Sequence, residues 1–84
     1  MDEAAMDEAE RRLDAALGEA IRQLRVVARI SQDELAERTR LSKKTIGRIE
    51  TGKSSLRMPQ MLRISAALEV TMGELLEKAE SIGG

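Results

Sequence analysis

Three times along this sequence an aliphatic residue precedes a Ser or Thr, and a second aliphatic residue follows that hydroxyl by four positions: Ile30-Ser31 with Leu35, Leu41-Ser42 with Ile46, and Val70-Thr71 with Leu75. A hydroxyl so placed accepts from an orphan backbone N–H in the first turn of a helix, and the two aliphatics clamp the incoming chain against that turn. Glu34 and Glu74 stand three residues after Ser31 and Thr71, where a carboxylate can bond back to the cap. Such a pattern dictates short helices joined by tight connections. It predicts helices over residues 32–38, 43–50 and 72–80.

Two further helices follow from apolar spacing. Leu13, Leu17, Ala20, Ile21, Leu24 and Ala28 recur at steps of three and four, one stripe on a first helix that ends near Arg29. Pro59 opens a fourth helix whose stripe is Met61, Ile64, Ser65 and Leu68, with Met58 placed to plug its entrance and Met61 and Met72 to fill the core. Gly52, just past Glu50, suits the left-handed conformation that ends the third helix. No strand-like alternation of useful length and no internal repeat is present. The fold class is therefore all-α, a compact five-helix domain, and Thr39-Arg40-Leu41 has the length of the turn in a helix-turn-helix.

Composition removes several functions. With 84 residues there is room for one domain and a small core. The chain has no Cys and no His, so the usual zinc ligands, a disulfide and a histidine base are all missing, and no metal, cofactor or catalytic centre is expected. With no Phe, Tyr or Trp the core rests on Leu, Ile, Val, Ala and Met, and bases of single-stranded RNA find nothing to stack on. No apolar run approaches the ~20 residues that span a bilayer, and Met1 to Glu10 is acidic where a secretory signal is basic, which places the expected site of action in the cytoplasm.

The net charge of −1 conceals three unlike blocks. Residues 1–20 carry seven acids and two bases (−5), residues 21–68 eleven bases and four acids (+7), and residues 69–84 four acids and one base (−3). A polyanion responds to the local face rather than to the sum, so the basic centre matters more than the acidic isoelectric point. Within that centre one helix breaks a rule its neighbours keep. Helix two opens with Asp33 and Glu34 and helix five with Glu74, as the positive end of the backbone dipole prefers, but helix three opens with Lys43 and Lys44. A cation there costs roughly 0.3–1 kcal/mol, so the two lysines point to compensation from outside the protein. Gly47, an interior helical glycine costing about 1 kcal/mol relative to alanine, either faces outward to let the helix backbone approach another surface or is incidental. A charge cluster of this kind is by itself an ordinary solvated face.

The strings SQDELAERTRLSKKTIGRIETGK and ISAALEVTMGELL give the cluster a context. Through them residues 17–76 resemble the Xre/Cro family of phage and bacterial repressors, whose helices two to five carry the same mutual spacing. The resemblance implies the lambda repressor-like five-helix architecture and a sequence-specific regulator, of repressor type, that binds double-stranded operator DNA as a homodimer. It implies that Lys43, Lys44 and Arg48 read bases, with Thr45 and Gly47 as additions, and that Gln32, Arg40, Ser42, Lys53, Ser54 and Arg57 grip phosphates. It further implies an ion pair between Arg25 and Glu50. Lys or Arg on guanine O6 and N7 is the commonest major-groove contact, so a palindromic operator with G·C pairs in each half-site is expected. Three positions depart from the family pattern: Arg40 and Glu69 stand where glycine is usual, and Leu56 where proline is.

On this reading residues 13–80 form the helix-turn-helix domain, 81–84 a flexible tail, and 1–12 an acidic arm. That arm is a solubilising or disordered segment, an extension of helix one through Met6 and Ala9 that contacts a second subunit, or a repellent for nonspecific DNA. Two other functions fit the same residues. One is an antitoxin that represses its own operon while the acidic opening grips a basic toxin. The other is a protein-interaction module in which Asp33, Glu34 and Glu37 touch RNA polymerase. An enzyme is the poorest fit, since no nucleophile is paired with a base.

Overall fold

A computed structural model describes residues 3–83, which form α1 (Glu3–Val27), α2 (Gln32–Thr39), α3 (Lys43–Glu50), α4 (Met58–Ala67) and α5 (Met72–Gly83). Among these described residues there is no strand. α1 is the longest helix and packs most extensively on α5 and also on α3, while α2 packs on α3 and α4. The core at their junction is aliphatic, with Ala20, Ile21, Leu35, Ile46, Ile64 and Leu75 all at 0% exposure.

Each expected cap is present. Ser31 Oγ accepts from Glu34 N–H and Ser42 Oγ from Thr45 N–H, both at 3.0 Å. At α5 the exchange is reciprocal, Thr71 Oγ1 accepting from Glu74 N–H (3.0 Å) while Thr71 N–H donates to Glu74 Oε1 (2.9 Å). The expected return bond of Glu34 is not made, because its carboxylate instead accepts from Arg38 one turn further along the exposed face (2.5 Å). α4 begins at Met58, one residue before Pro59, and Gln60 Oε1 accepts from Arg57 N–H at 3.1 Å.

The helices also share an ending. Arg29, Arg40, Gly52 and Glu69 all lie in the left-handed region, at φ 59°, 60°, 73° and 58°. In each case the next N–H reaches back five residues, Ile30 to Arg25, Leu41 to Ala36, Lys53 to Arg48 and Val70 to Ser65, at 2.8–3.1 Å. These bonds satisfy carbonyls that the helix end leaves orphaned. Ile30, Leu41 and Val70 therefore act twice, closing one helix and packing in or against the common core.

Three expectations need correction, and one open alternative is decided. Met58 does not plug the entrance to α4; it is 66% exposed, because the α4 stripe that turns inward starts at Met61. Both ends of the α1 stripe are open, with Leu13 at 51% exposure and Ala28 exposed, since the inward face is made by Ala16, Leu17, Ala20 and Ile21 where other helices cross. Of the readings of the acidic opening, the helical extension is the one present: residues 3–12 continue α1 through Met6 and Ala9, and Met1 and Asp2 lie outside the described residues. Residues 81–83 are not a tail: α5 continues to Gly83, which approaches Ala16 on α1, and only Gly84 lies outside the described residues.

One residue with no expected role sets the α1–α3 crossing. A Cβ on Gly18 would collide with the backbone carbonyl of Ile49, so glycine is what allows α3 to lie directly on α1. That crossing fixes which way α3 faces.

Candidate nucleic-acid interface

α3 divides cleanly. Ile46, Ile49 and Glu50 are buried, Lys43, Lys44 and Arg48 are exposed, and Thr45 and Gly47 lie between. Nothing stands within 4 Å of where a Gly47 Cβ would be, so its outward side is open. The helix is held from beneath by an ion pair. Arg25 Nε and Nη2 donate to the two oxygens of Glu50 at 2.7 and 3.1 Å, and Arg25 Nη1 donates to the Ile30 carbonyl at 2.9 Å. The side chains are only 14% and 2% exposed, which gives the pair little competition from water.

Gln32 belongs to this support rather than to an exposed helix start. Its Nε2 donates to Glu50 Oε1 at 3.0 Å and the residue is half-buried, because the carboxylate has a lone pair that Arg25 leaves unfilled. Ser42 is likewise committed: it accepts from Thr45 N–H and donates to Thr45 Oγ1 at 2.9 Å, so its hydroxyl proton is used within the chain.

The exposed cations differ in how free they are. Lys43 Nζ lies 3.5 Å from Asp33 Oδ1 on α2, so part of the compensation expected from outside comes from the neighbouring helix; both side chains are largely exposed, which leaves that pair weak. The Lys44 side chain makes no hydrogen bond or ion pair among the described residues. Arg48 leans over the following loop, Nε donating to Ser54 Oγ (3.1 Å) and Nη2 to the Lys53 carbonyl (3.3 Å). Lys53 and Arg57 are exposed, and Arg57 joins Thr45, Ile49, Ser54, Ser55 and Gln60 in lining one polar groove between α3 and the start of α4. The α3 residues from Thr45 onward and the loop thus form one surface. Arg40, exposed at the turn, joins none of its hydrogen bonds or ion pairs.

Sequence reasoning passed over Asp14, Ser55 and Gln60. Ser55 Oγ donates to Asp14 Oδ2 at 2.8 Å, tying the loop to α1 and setting one acid beside the basic surface. Nothing local in the sequence signals a bond that spans 41 positions. Among the described residues no group of acids could hold a metal ion, and no helix is long and apolar enough to cross a membrane.

A basic helix, half exposed, lies behind a tight turn from α2, and sequence comparison matches residues 16–79 to the helix-turn-helix domain family. The chain belongs to that family. Solved structures share the fold over most of the chain. A crystal structure of the clp gene regulator ClgR from C. glutamicum is 26% identical, with 86% of this chain and 92% of that one aligned at a TM-score of 0.83. A second ClgR crystal structure, from Corynebacterium glutamicum, is 27% identical over 83% of this chain and 74% of that one, at 0.82. The restriction-modification controller protein C.AhdI from Aeromonas hydrophila is 27% identical over 74% of this chain and 94% of that one, at 0.72. No curated protein sequence matches this chain. The helix-turn-helix of this domain is α2 and α3, with Arg40 and Leu41 at its turn.

Proposed function

We propose that this helix-turn-helix domain is a cytoplasmic, sequence-specific transcriptional regulator of repressor type that docks α3 in the major groove of duplex DNA. The observation that carries the reading is Lys44, a cation at the positive end of a helix, exposed and with no partner among the described residues. A guanine edge or a phosphate supplies that partner. Lys44 and Arg48, one turn apart, then contact base edges, with Lys43 and Thr45 flanking them. Ser54 and Arg57 on the adjoining groove, with the exposed Lys53 next to them in the chain, grip phosphate and fix register without reading sequence. Two copies across a pseudo-palindrome put two α3 helices in major grooves about one helical turn apart. ClgR and C.AhdI, one a gene regulator and the other a controller protein, support the regulatory part of the reading.

The decisive experiment selects bound duplexes from a random pool and titrates the winner against salt. Each neutralised phosphate adds about 0.9 to the slope of log affinity against log salt, so a slope near zero rejects the mechanism. Lys44→Ala should cost about 1–3 kcal/mol and relax preference at one base pair, whereas Lys53→Ala should weaken all sequences alike and lower the slope by about 1. Regulation that survives Lys44→Ala combined with Arg48→Ala would mean that the domain works through protein contacts instead.

A further inference from the structure

Residues 51–57, between α3 and α4, are held from two sides. From α3, Arg48 donates to Ser54 Oγ at 3.1 Å and to the Lys53 carbonyl at 3.3 Å. From α1, Asp14 Oδ2 accepts from Ser55 Oγ at 2.8 Å, and the loop lies directly on the next residue, since a Cβ on Gly52 would stand 3.0 Å from the Ala15 Cα. Ser55 belongs to both structures: it is bonded to α1, and it lines the polar groove with Ser54 and Arg57. The clasp from α3 is not constant. A bidentate grip on a guanine edge needs two guanidinium nitrogens, and two of those on Arg48 are on the loop, so base reading competes with holding it. We infer that Asp14 is a positioning residue of the DNA contact: bonded to Ser55, it keeps the loop seated on α1, with Lys53, Ser54 and Arg57 in reach of phosphate, when Arg48 turns to a base edge. This role rests on the DNA-binding reading above and adds to it a residue of α1 that acts through the loop.

The residue type fits the role. A carboxylate beside a phosphate-gripping loop repels the ligand, so Asp14 opposes binding through its charge. What it offers against that is a strong bond, because a hydrogen bond to an ionised acceptor is roughly twice as strong as one between neutral groups. Among the described residues it is the one hydrogen bond that joins α1 to this loop. Leu56 also packs against the core, but apolar burial is non-directional, whereas the Ser55 bond fixes how the backbone on either side of it is turned. Charge and bond thus act on affinity with opposite signs, and substitution separates them.

The test measures affinity for the selected duplex and for random duplex, and the salt slope of each, in the full chain and in Asp14→Asn, Asp14→Ala, Ser55→Ala and the double variant Asp14→Ala with Ser55→Ala. The two Asp14 variants lose the same charge, but only asparagine keeps an acceptor for the Ser55 hydroxyl. Asp14→Ala should therefore bind both duplexes about threefold or more weaker than Asp14→Asn, with a salt slope shallower by about 1 as a phosphate contact is lost. Alanine is the better helix former, so a weaker fold does not account for that loss, and helical circular dichroism should be retained. Ser55→Ala should weaken the wild type by a similar factor and change Asp14→Ala little. Equal affinity and slope in the two Asp14 variants overturns the proposal while leaving the DNA reading intact. So does a Ser55→Ala loss that persists in Asp14→Ala, since Ser55 would then grip phosphate itself. A wild type whose duplex binding has no salt slope rejects the DNA reading, and the positioning role falls with it.

Discussion

Glu50 is the last residue of α3 and its carboxylate is 2% exposed, so its charge is tolerated only through Arg25 and Gln32. Removing the guanidinium strands a buried anion on a single amide. Arg25→Ala should therefore cost about 3–5 kcal/mol, seen as a lower denaturant midpoint at unchanged slope. The double variant Arg25→Met with Glu50→Leu should recover most of that loss, because no charge then needs a partner. A single-variant loss below about 1 kcal/mol would mean that the pair behaves as an exposed one. Gly47 supports a second expectation, in which stability and function move oppositely. With nothing within 4 Å of its Cβ position, Gly47→Ala should raise stability by about 1 kcal/mol, read as a higher melting temperature. On the proposed docking the new methyl group enters the space between α3 and the groove wall, so duplex affinity should fall. Unchanged affinity would make this glycine incidental.

The same substitution has the opposite sign one helix away. Gly18→Ala gains the same helical propensity but drives a methyl group into the Ile49 carbonyl, which is backbone and cannot swing aside. A net loss of about 1–3 kcal/mol in chemical denaturation is expected, and a neutral result would show that α1 and α3 can part without penalty. At the turn between α2 and α3, Arg40 bears the strain of a non-glycine residue at φ 60°, so Arg40→Gly should stabilise the domain by up to about 1 kcal/mol, again read from the denaturant midpoint. These contrasts also explain what the sequence revealed about its elements. Helix starts were legible because Ser31, Ser42 and Thr71 cap through side chains acting on their own first turn. Helix ends were legible only at Gly52, because the closing bond runs between backbone groups and Arg29, Arg40 and Glu69 make it as well. The stripe on α1 told which face turns inward but not how far a neighbour reaches along it, hence the open Leu13. The basic face of α3 was visible from Lys43, Lys44 and Arg48, whereas Gln32 and Asp33 find their partners in another helix that local spacing does not reveal.

Over the whole molecule, charge is sorted along α1. The helix enters the fold from an acidic end and reaches the basic surface at Asp14, which is bonded to Ser55 of the loop beside α3. At 1.5 Å rise per residue, Glu10 stands ~6 Å, Asp7 ~10 Å and Glu3 ~16 Å further along the axis. At 0.15 M salt the screening length is ~8 Å, so of these three only Glu10 acts strongly on a phosphate near the loop, while at 0.01 M it is ~30 Å and all three do. Glu3→Gln, Asp7→Asn and Glu10→Gln together take the net charge from −1 to +2 without touching α3 or the loop. On the proposed DNA contact, that variant should bind random-sequence duplex several-fold more tightly than the wild type at 0.01 M salt, with the difference shrinking to what Glu10 alone contributes as salt approaches 0.15 M. Selectivity for the chosen operator over random duplex should fall in the same low-salt range, because the added attraction carries no sequence information. Anisotropy titrations of both proteins on both duplexes at the two salt concentrations decide the matter. Equal affinity for random duplex at 0.01 M would mean that the acidic turns of α1 point their field away from bound DNA and play no part in excluding it.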